Sequence, residues 1–192
     1  EDETIAVVHN GIIENYLKIK EKLIAKGYKF QSETDTEVVA QYLSYLYKGD
    51  PIEAITKLMH RVEGSYALGI IFQDQPDKLY AVRKDSPLIV GIGKRGNLIA
   101  SDVPAILKHS RDVYYIQNEE IAVMQKDQIL FYNVDGEEIQ KESSKIEWDL
   151  NAAEKDGYEH FMLKEMYEQP KTVRDTVNPR LKGNQIVIEE LG

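Results

Sequence analysis

The stretch ITKLMHRVEGSYALGIIF, Ile55 to Phe72, contains the change of period on which the fold class turns. Before Gly64, the apolar residues Ile55, Leu58 and Met59 recur at helical spacing. After it they run almost without interruption and are β-branched or aromatic, as in a strand.

Working back toward the N-terminus, the helical pattern begins at Asp50-Pro51, where Pro51 suits a first helical position and Glu53 closes a capping box. SETDTEVVAQYLSYLY, Ser32 to Tyr47, predicts a second helix, with Thr34 and Glu37 three apart as a capping box. Ile13, Tyr16, Leu17, Leu23 and Ile24 predict a third, which Gly27 can close. IAVV, Ile5 to Val8, reads as a buried strand.

Working forward, SYALGIIF, KLYAVRK, PLIVGIG and NLIASD read as a meander of antiparallel strands. A short helix around Val103 to Lys108 interrupts it. EEIAVMQ, QILFYN and EEIQKE resume it, the last two joined across Val134-Asp135-Gly136. Helices followed by a run of strands predict an α+β domain and not a parallel doubly wound sheet. From Tyr158 a helical pattern returns through HFMLKEMYEQPKTVRDTV, with Pro170 as a kink or a new first turn. NPRLKGNQ breaks it, and QIVIEEL begins another apolar run.

The composition narrows the function. The 192 residues carry 33 acidic against 24 basic side chains, a net charge of −9, and no basic stripe that would suit nucleic acid. There is no cysteine, which removes disulfides, thiolate metal ligands and a cysteine nucleophile from these residues and fits the cytoplasm. No apolar run is long enough to cross a membrane as a helix. The chain opens on Glu1, so we expect either that an upstream segment has been cleaved or trimmed away or that the chain is part of a longer polypeptide.

Several motifs fail on context. Gly91-Ile92-Gly93-Lys94-Arg95-Gly96 matches the dinucleotide-binding GxGxxG, but a strand-like run follows it where that chemistry needs a helix N-terminus, so it reads as a glycine-rich hairpin. His9, His60, His109 and His160 lack the close spacing of zinc ligands and read as surface or packing residues. Ser65 in EGSYALG lacks the glycine spacing of a nucleophile elbow.

Asn10-Gly11, in VVHNGIIENY, has two readings. It is the preferred pair for a two-residue hairpin turn. Because a helical pattern follows, it also reads as a strand-to-helix junction, where a side-chain amide and a backbone N–H could face a developing oxyanion. Asp35 likewise either favours the positive end of a helix dipole or holds a cationic group such as a substrate amine.

HNGIIENY, SETDTEV, GSYAL, SPLIVGIG with ASD following, and HFMLKEMYEQP together resemble the glutaminase half of the glutamine:fructose-6-phosphate aminotransferases, also called glucosamine-6-phosphate synthases. The resemblance runs in order through nearly the whole chain, and the KEMYEQP segment separates this family from other class II amidotransferases. It implies an N-terminal nucleophile hydrolase-like fold, two antiparallel sheets sandwiched between helices, incomplete at the N-terminus. Residues 1–164 would be the larger, C-terminal part of the amidotransferase domain, and 165–192 the helix and linker entering a sugar isomerase domain.

The resemblance also implies chemistry. An N-terminal cysteine thiolate, absent from this chain, would attack the glutamine carboxamide and form a glutamyl thioester, and the ammonia released would convert fructose 6-phosphate to glucosamine 6-phosphate. On that template the Asn10 side-chain amide and the Gly11 N–H form the oxyanion hole. Gly11 and Asp35 contact glutamine, Asp35 through the α-amino group. No cofactor or metal is implied, the full-length protein is expected to be a cytoplasmic homo-oligomer, and the chain alone is expected to be inactive. The alternatives are another class II amidotransferase, acting in a phosphoribosyl or asparagine-forming pathway, or a non-catalytic binding or assembly module of the same fold.

Overall fold

The computed structural model describes residues 4–94, 96–147, 157–183 and 185–188. The chain divides into two compact units, Glu1–Glu147 and Trp148–Gly192.

The first unit opens with β1 (Ile5–Ile13), followed by α1 (Tyr16–Ile24), α2 (Asp35–Leu46) and α3 (Pro51–Met59). The strands β2 (Gly64–Phe72), β3 (Leu79–Lys84), β4 (Ile89–Gly91) and β5 (Leu98–Ala100) lead to the short α4 (Val103–Leu107). Five more follow: β6 (Asp112–Tyr115), β7 (Ile121–Met124), β8 (Ile129–Tyr132), β9 (Glu138–Ile139) and β10 (Ser144–Lys145).

These strands form two antiparallel sheets, one of six in the order β1-β2-β3-β7-β8-β9 and one of four in the order β10-β6-β4-β5. The expected meander is therefore split. After β3 the chain crosses to the second sheet, and after β6 it returns. β6, with one buried residue in four, was not read from the sequence.

The helices bury Ile19, Leu23, Val38, Leu43, Ile55 and Leu58 against Leu68, Ile70 and Phe72 of β2. Ala67 and Ala81 on the other face of the large sheet pack with Leu88 and Val90. α4 covers the far side of the small sheet, where a Cβ added to Gly91 would lie 2.8 Å from Ile106. The result is an α+β arrangement of four layers, helix, sheet, sheet, helix.

The helix starts follow the expected residues with different partners. Thr34 Oγ1 accepts the Glu37 N–H at 3.3 Å. The Glu37 carboxylate, however, does not turn back to Thr34; it accepts from the Gln31 and Ser32 N–H groups and the Ser32 hydroxyl. Burial alone would raise the Glu37 pKa, but these bonds and the Lys20 charge hold it below its ordinary value. Asp50 Oδ1 accepts from Ile52 N and Glu53 N, while the Glu53 side chain pairs with Lys57. Neither capping box is thus reciprocal. Thr34→Ala should cost about 1 kcal/mol, seen as a lower urea midpoint at unchanged m-value.

At the end of α1, Gly27 takes φ +92° and the Tyr28 N–H returns to Leu23 O at 3.0 Å, the closure expected there. Asn15 ties the start of α1 to the approach of β2, donating to Arg61 O at 2.8 Å and accepting from Glu63 N at 3.1 Å.

The second unit holds α5 (Phe161–Val177), a 3-10 turn (Asn178–Arg180) and a two-stranded sheet of β11 (Leu181–Lys182) and β12 (Gln185–Ile186). α5 runs through Pro170 as one element and does not restart there. The end of the apolar run QIVIEEL, from residue 189, lies outside the described residues. Among the described residues no helix is long and apolar enough to cross a membrane.

Candidate active site

Asn10-Gly11 is neither a turn nor a strand-to-helix junction. β1 continues through it to Ile13, paired one-to-one with β2, with Asn10 opposite Ala67 and Gly11 opposite Tyr66. The helical pattern was right, but it begins at Tyr16. Nor is β1 a buried strand: its residues alternate, and Val8 is 65% exposed.

β1 is the edge of the six-stranded sheet. Alternate residues of an antiparallel strand direct their N–H groups toward the partner and away from it. Glu14 donates to Glu63 O, and Gln73 donates to Thr4 O, so the even-numbered residues of β1 face β2. The N–H groups of His9, Gly11 and Ile13 therefore point to the open edge. That of Ile13 is taken by Asp35 Oδ2 at 2.9 Å.

Gly11 has φ +134°, and a Cβ built there would stand 2.1 Å from Ser65 O and 2.8 Å from Tyr66 Cα. The strand keeps its register at this point only because residue 11 has no side chain.

The Asn10 side chain is on the face turned toward the second sheet. It borders a cavity of about 200 Å³ walled by Val8, Ala67, Leu88, Ile99 and Ser101. Asn10 is exposed, and no described residue hydrogen-bonds its amide. Adjacent residues thus present two donors: a side-chain amide beside an apolar hollow and a backbone N–H on a bare edge.

Asp35 is the first residue of α2, so its carboxylate meets the positive end of the helix. Its side chain is 23% exposed, and Oδ1 lies 3.7 Å from His9 Nδ1. The helix-dipole reading of Asp35 holds, and the bond to Ile13 additionally pins the carboxylate to the edge that carries Gly11.

His9 was read as a surface or packing residue, and its ring is 2% exposed. Nδ1 lies 3.1 Å from Thr36 Oγ1, while Nε2 is buried without a partner. A nearby carboxylate favours a proton on Nδ1, which leaves Nε2 as the unpaired acceptor. Stranding such a group costs about 1 to 3 kcal/mol. Burial holds the His9 pKa below its usual value, partly opposed by Asp35, so the ring is neutral at pH 7.

The remaining motifs stay structural. Gly91 to Gly96 forms the turn region of the hairpin between β4 and β5, with Arg95 outside the described residues. His60, His109 and His160 are exposed, and the described residues contain no group of three His, Cys, Asp or Glu that could hold a metal ion. Thr36, which meets His9, was missed because it is 27 positions away. Its place directly after Asp35 was the only local clue.

Residues 1–108 match the family described as a glutamine amidotransferase domain. The chain is 59% identical over 184 residues to the glutamine–fructose-6-phosphate aminotransferase (isomerizing) of Clostridium acetobutylicum, covering 96% of this chain and 30% of that protein. It is 50% identical over 192 residues to the protein of the same name from Clostridium tetani, covering 100% and 32%. The chain therefore spans about 30% of the length of the curated relatives it matches.

Among solved structures, the glutamine phosphoribosylpyrophosphate amidotransferase of B. subtilis, complexed with ADP and GMP, aligns with a TM-score of 0.61 at 19% identity. That alignment covers 70% of this chain and 30% of the other. An allosteric regulatory enzyme of purine biosynthesis aligns at 0.58 and 18% identity. These likenesses bear on the fold, which is that of the amidotransferases with two facing antiparallel sheets.

Proposed function

Since the chain belongs to the glutamine amidotransferase family, we propose that it is part of a glutamine:fructose-6-phosphate aminotransferase and contributes the oxyanion donors and the ammonium anchor of that enzyme's glutamine site. Residues 1–164 are assigned to the amidotransferase domain and 165–192 to the helix and linker leading into a sugar isomerase domain. Metabolites of this kind and a cysteine-free composition fit a cytoplasmic enzyme.

In this reading a thiolate from outside these residues adds to the glutamine carboxamide, since the chain itself has no cysteine. Negative charge then grows on the carbonyl oxygen. The Asn10 amide and the Gly11 N–H are fixed donors for it, placed before the reaction begins and therefore needing no reorganisation. Asp35 takes the α-ammonium at the other end of the substrate. Collapse of the adduct releases ammonia and leaves a glutamyl thioester, which water hydrolyses. The ammonia goes to fructose 6-phosphate, giving glucosamine 6-phosphate.

One observation carries this reading. The unpartnered Asn10 amide and the edge N–H of Gly11 are neighbours, and the Asp35 carboxylate is anchored two residues further along the same edge. The test is acceptor dependence in the full-length protein. Fructose 6-phosphate should accelerate glutamine hydrolysis, whereas stimulation only by a phosphoribosyl acceptor or by aspartate would move the protein to another class II amidotransferase.

A further inference from the structure

Ile13 and His9 approach the same carboxylate from two points on β1: the Ile13 N–H bonds Oδ2 at 2.9 Å, and His9 Nδ1 lies 3.7 Å from Oδ1, outside hydrogen-bond reach. Gly11 lies midway between them on that edge. His9 Nδ1 also meets Thr36, so the ring touches two consecutive residues in the first turn of α2.

An apolar side chain could fill this place without a stranded nitrogen. The imidazole has no described partner at Nε2, and its polarity is used only on the side facing Asp35 and Thr36. Leu68, opposite His9 on β2, brings no charge, and Asp35 is the charged group that acts on the ring. The bond between His9 Nδ1 and Thr36 Oγ1 ties the first turn of α2, and Asp35 with it, to β1 without placing a charge beside the carboxylate.

We propose that His9 is a positioning residue for glutamine: it holds Thr36, and through it the neighbouring Asp35, against β1 and so fixes the span between the ammonium anchor and the oxyanion donors. This rests on the assignment of Asp35 to the substrate ammonium. His9 acts on the substrate only through Asp35, so its loss should weaken glutamine binding more than it slows the chemical step.

The experiment uses the full-length enzyme and three variants at one position. His9→Leu should raise the glutamine KM about tenfold while kcat changes less than about threefold. His9→Asn, which offers an amide N–H near the Nδ1 position, should recover most of that loss. His9→Gln, whose amide reaches toward the Nε2 position, should not. In an Asp35→Asn background, His9→Leu should add less than about twofold, because the group it positions is already gone.

Equal behaviour of the Asn and Gln variants would overturn the proposal, as would a full tenfold effect of His9→Leu in the Asp35→Asn background. Should His9→Leu fail to fold, the contrast between Asn and Gln still decides. Asp35→Asn alone separates the two layers. If it leaves the glutamine KM unchanged, the ammonium assignment fails and this proposal fails with it; if it raises KM and His9→Leu does not, only the role of His9 is lost.

Discussion

Gly11→Ala is expected to abolish glutamine hydrolysis by the full-length enzyme and to cost the amidotransferase domain about 3 kcal/mol or more in stability. The new methyl group would stand 2.1 Å from Ser65 O, against backbone and not against a side chain that could turn away. The φ of +134° is itself one that alanine rarely adopts. To relieve both, β1 must peel away from β2, breaking the ladder at Asn10 and Ile12 and moving the edge N–H. Urea denaturation and a glutaminase assay on the same sample check this. A variant that is both stable and active would refute the backbone conformation assigned to residue 11.

Asn10→Ala should separate what Gly11→Ala combines. The Asn10 amide is exposed and has no described partner, so its removal should change stability by less than about 0.5 kcal/mol. Glutamine hydrolysis should nevertheless fall by about a hundredfold or more, the usual loss for one oxyanion donor. The loss should appear in kcat and in kcat/KM alike, because the bond strengthens as the carbonyl oxygen gains charge. A fall of less than a few-fold would remove Asn10 from this role.

What could be read from the sequence was whatever is decided within one turn or one strand. Thr34, Asp50 and Gly27 were placed correctly because a cap is a contact between near neighbours. Their partners were not all correct: Glu37 reaches back to residues 31 and 32, where the loop before α2 offers N–H groups better placed than that of Thr34. The hairpin at Gly91 to Gly96 was legible for the same local reason.

Asn10-Gly11 misled because its local preference is for a turn and because helical spacing starts soon afterward. What keeps β1 extended is distant. Gly64, Ser65 and Tyr66 pair with Ile13, Ile12 and Gly11, and the close backbone approach there needs glycine at both 11 and 64. The resemblance implied two sheets, but which strand joins which sheet was hidden likewise, since antiparallel strands look the same in sequence whichever sheet they join. The family resemblance suggested the roles proposed for Asn10, Gly11 and Asp35, whereas only the fold brings His9 to Thr36.

The bare edge of β1 makes opposite demands along its length. Near Ile5 to Val8 a strand paired on one side only, with an exposed valine, invites a neighbour, as sheet edges do. At Gly11 a neighbour would be ruinous on the proposed assignment, because a strand zipped that far would satisfy the N–H assigned to the oxyanion hole. Anything aligned with the first half of β1 must therefore end before residue 11. An extended peptide that ran past that point would act as an inhibitor, competing with the substrate through its main chain alone, whatever its side chains.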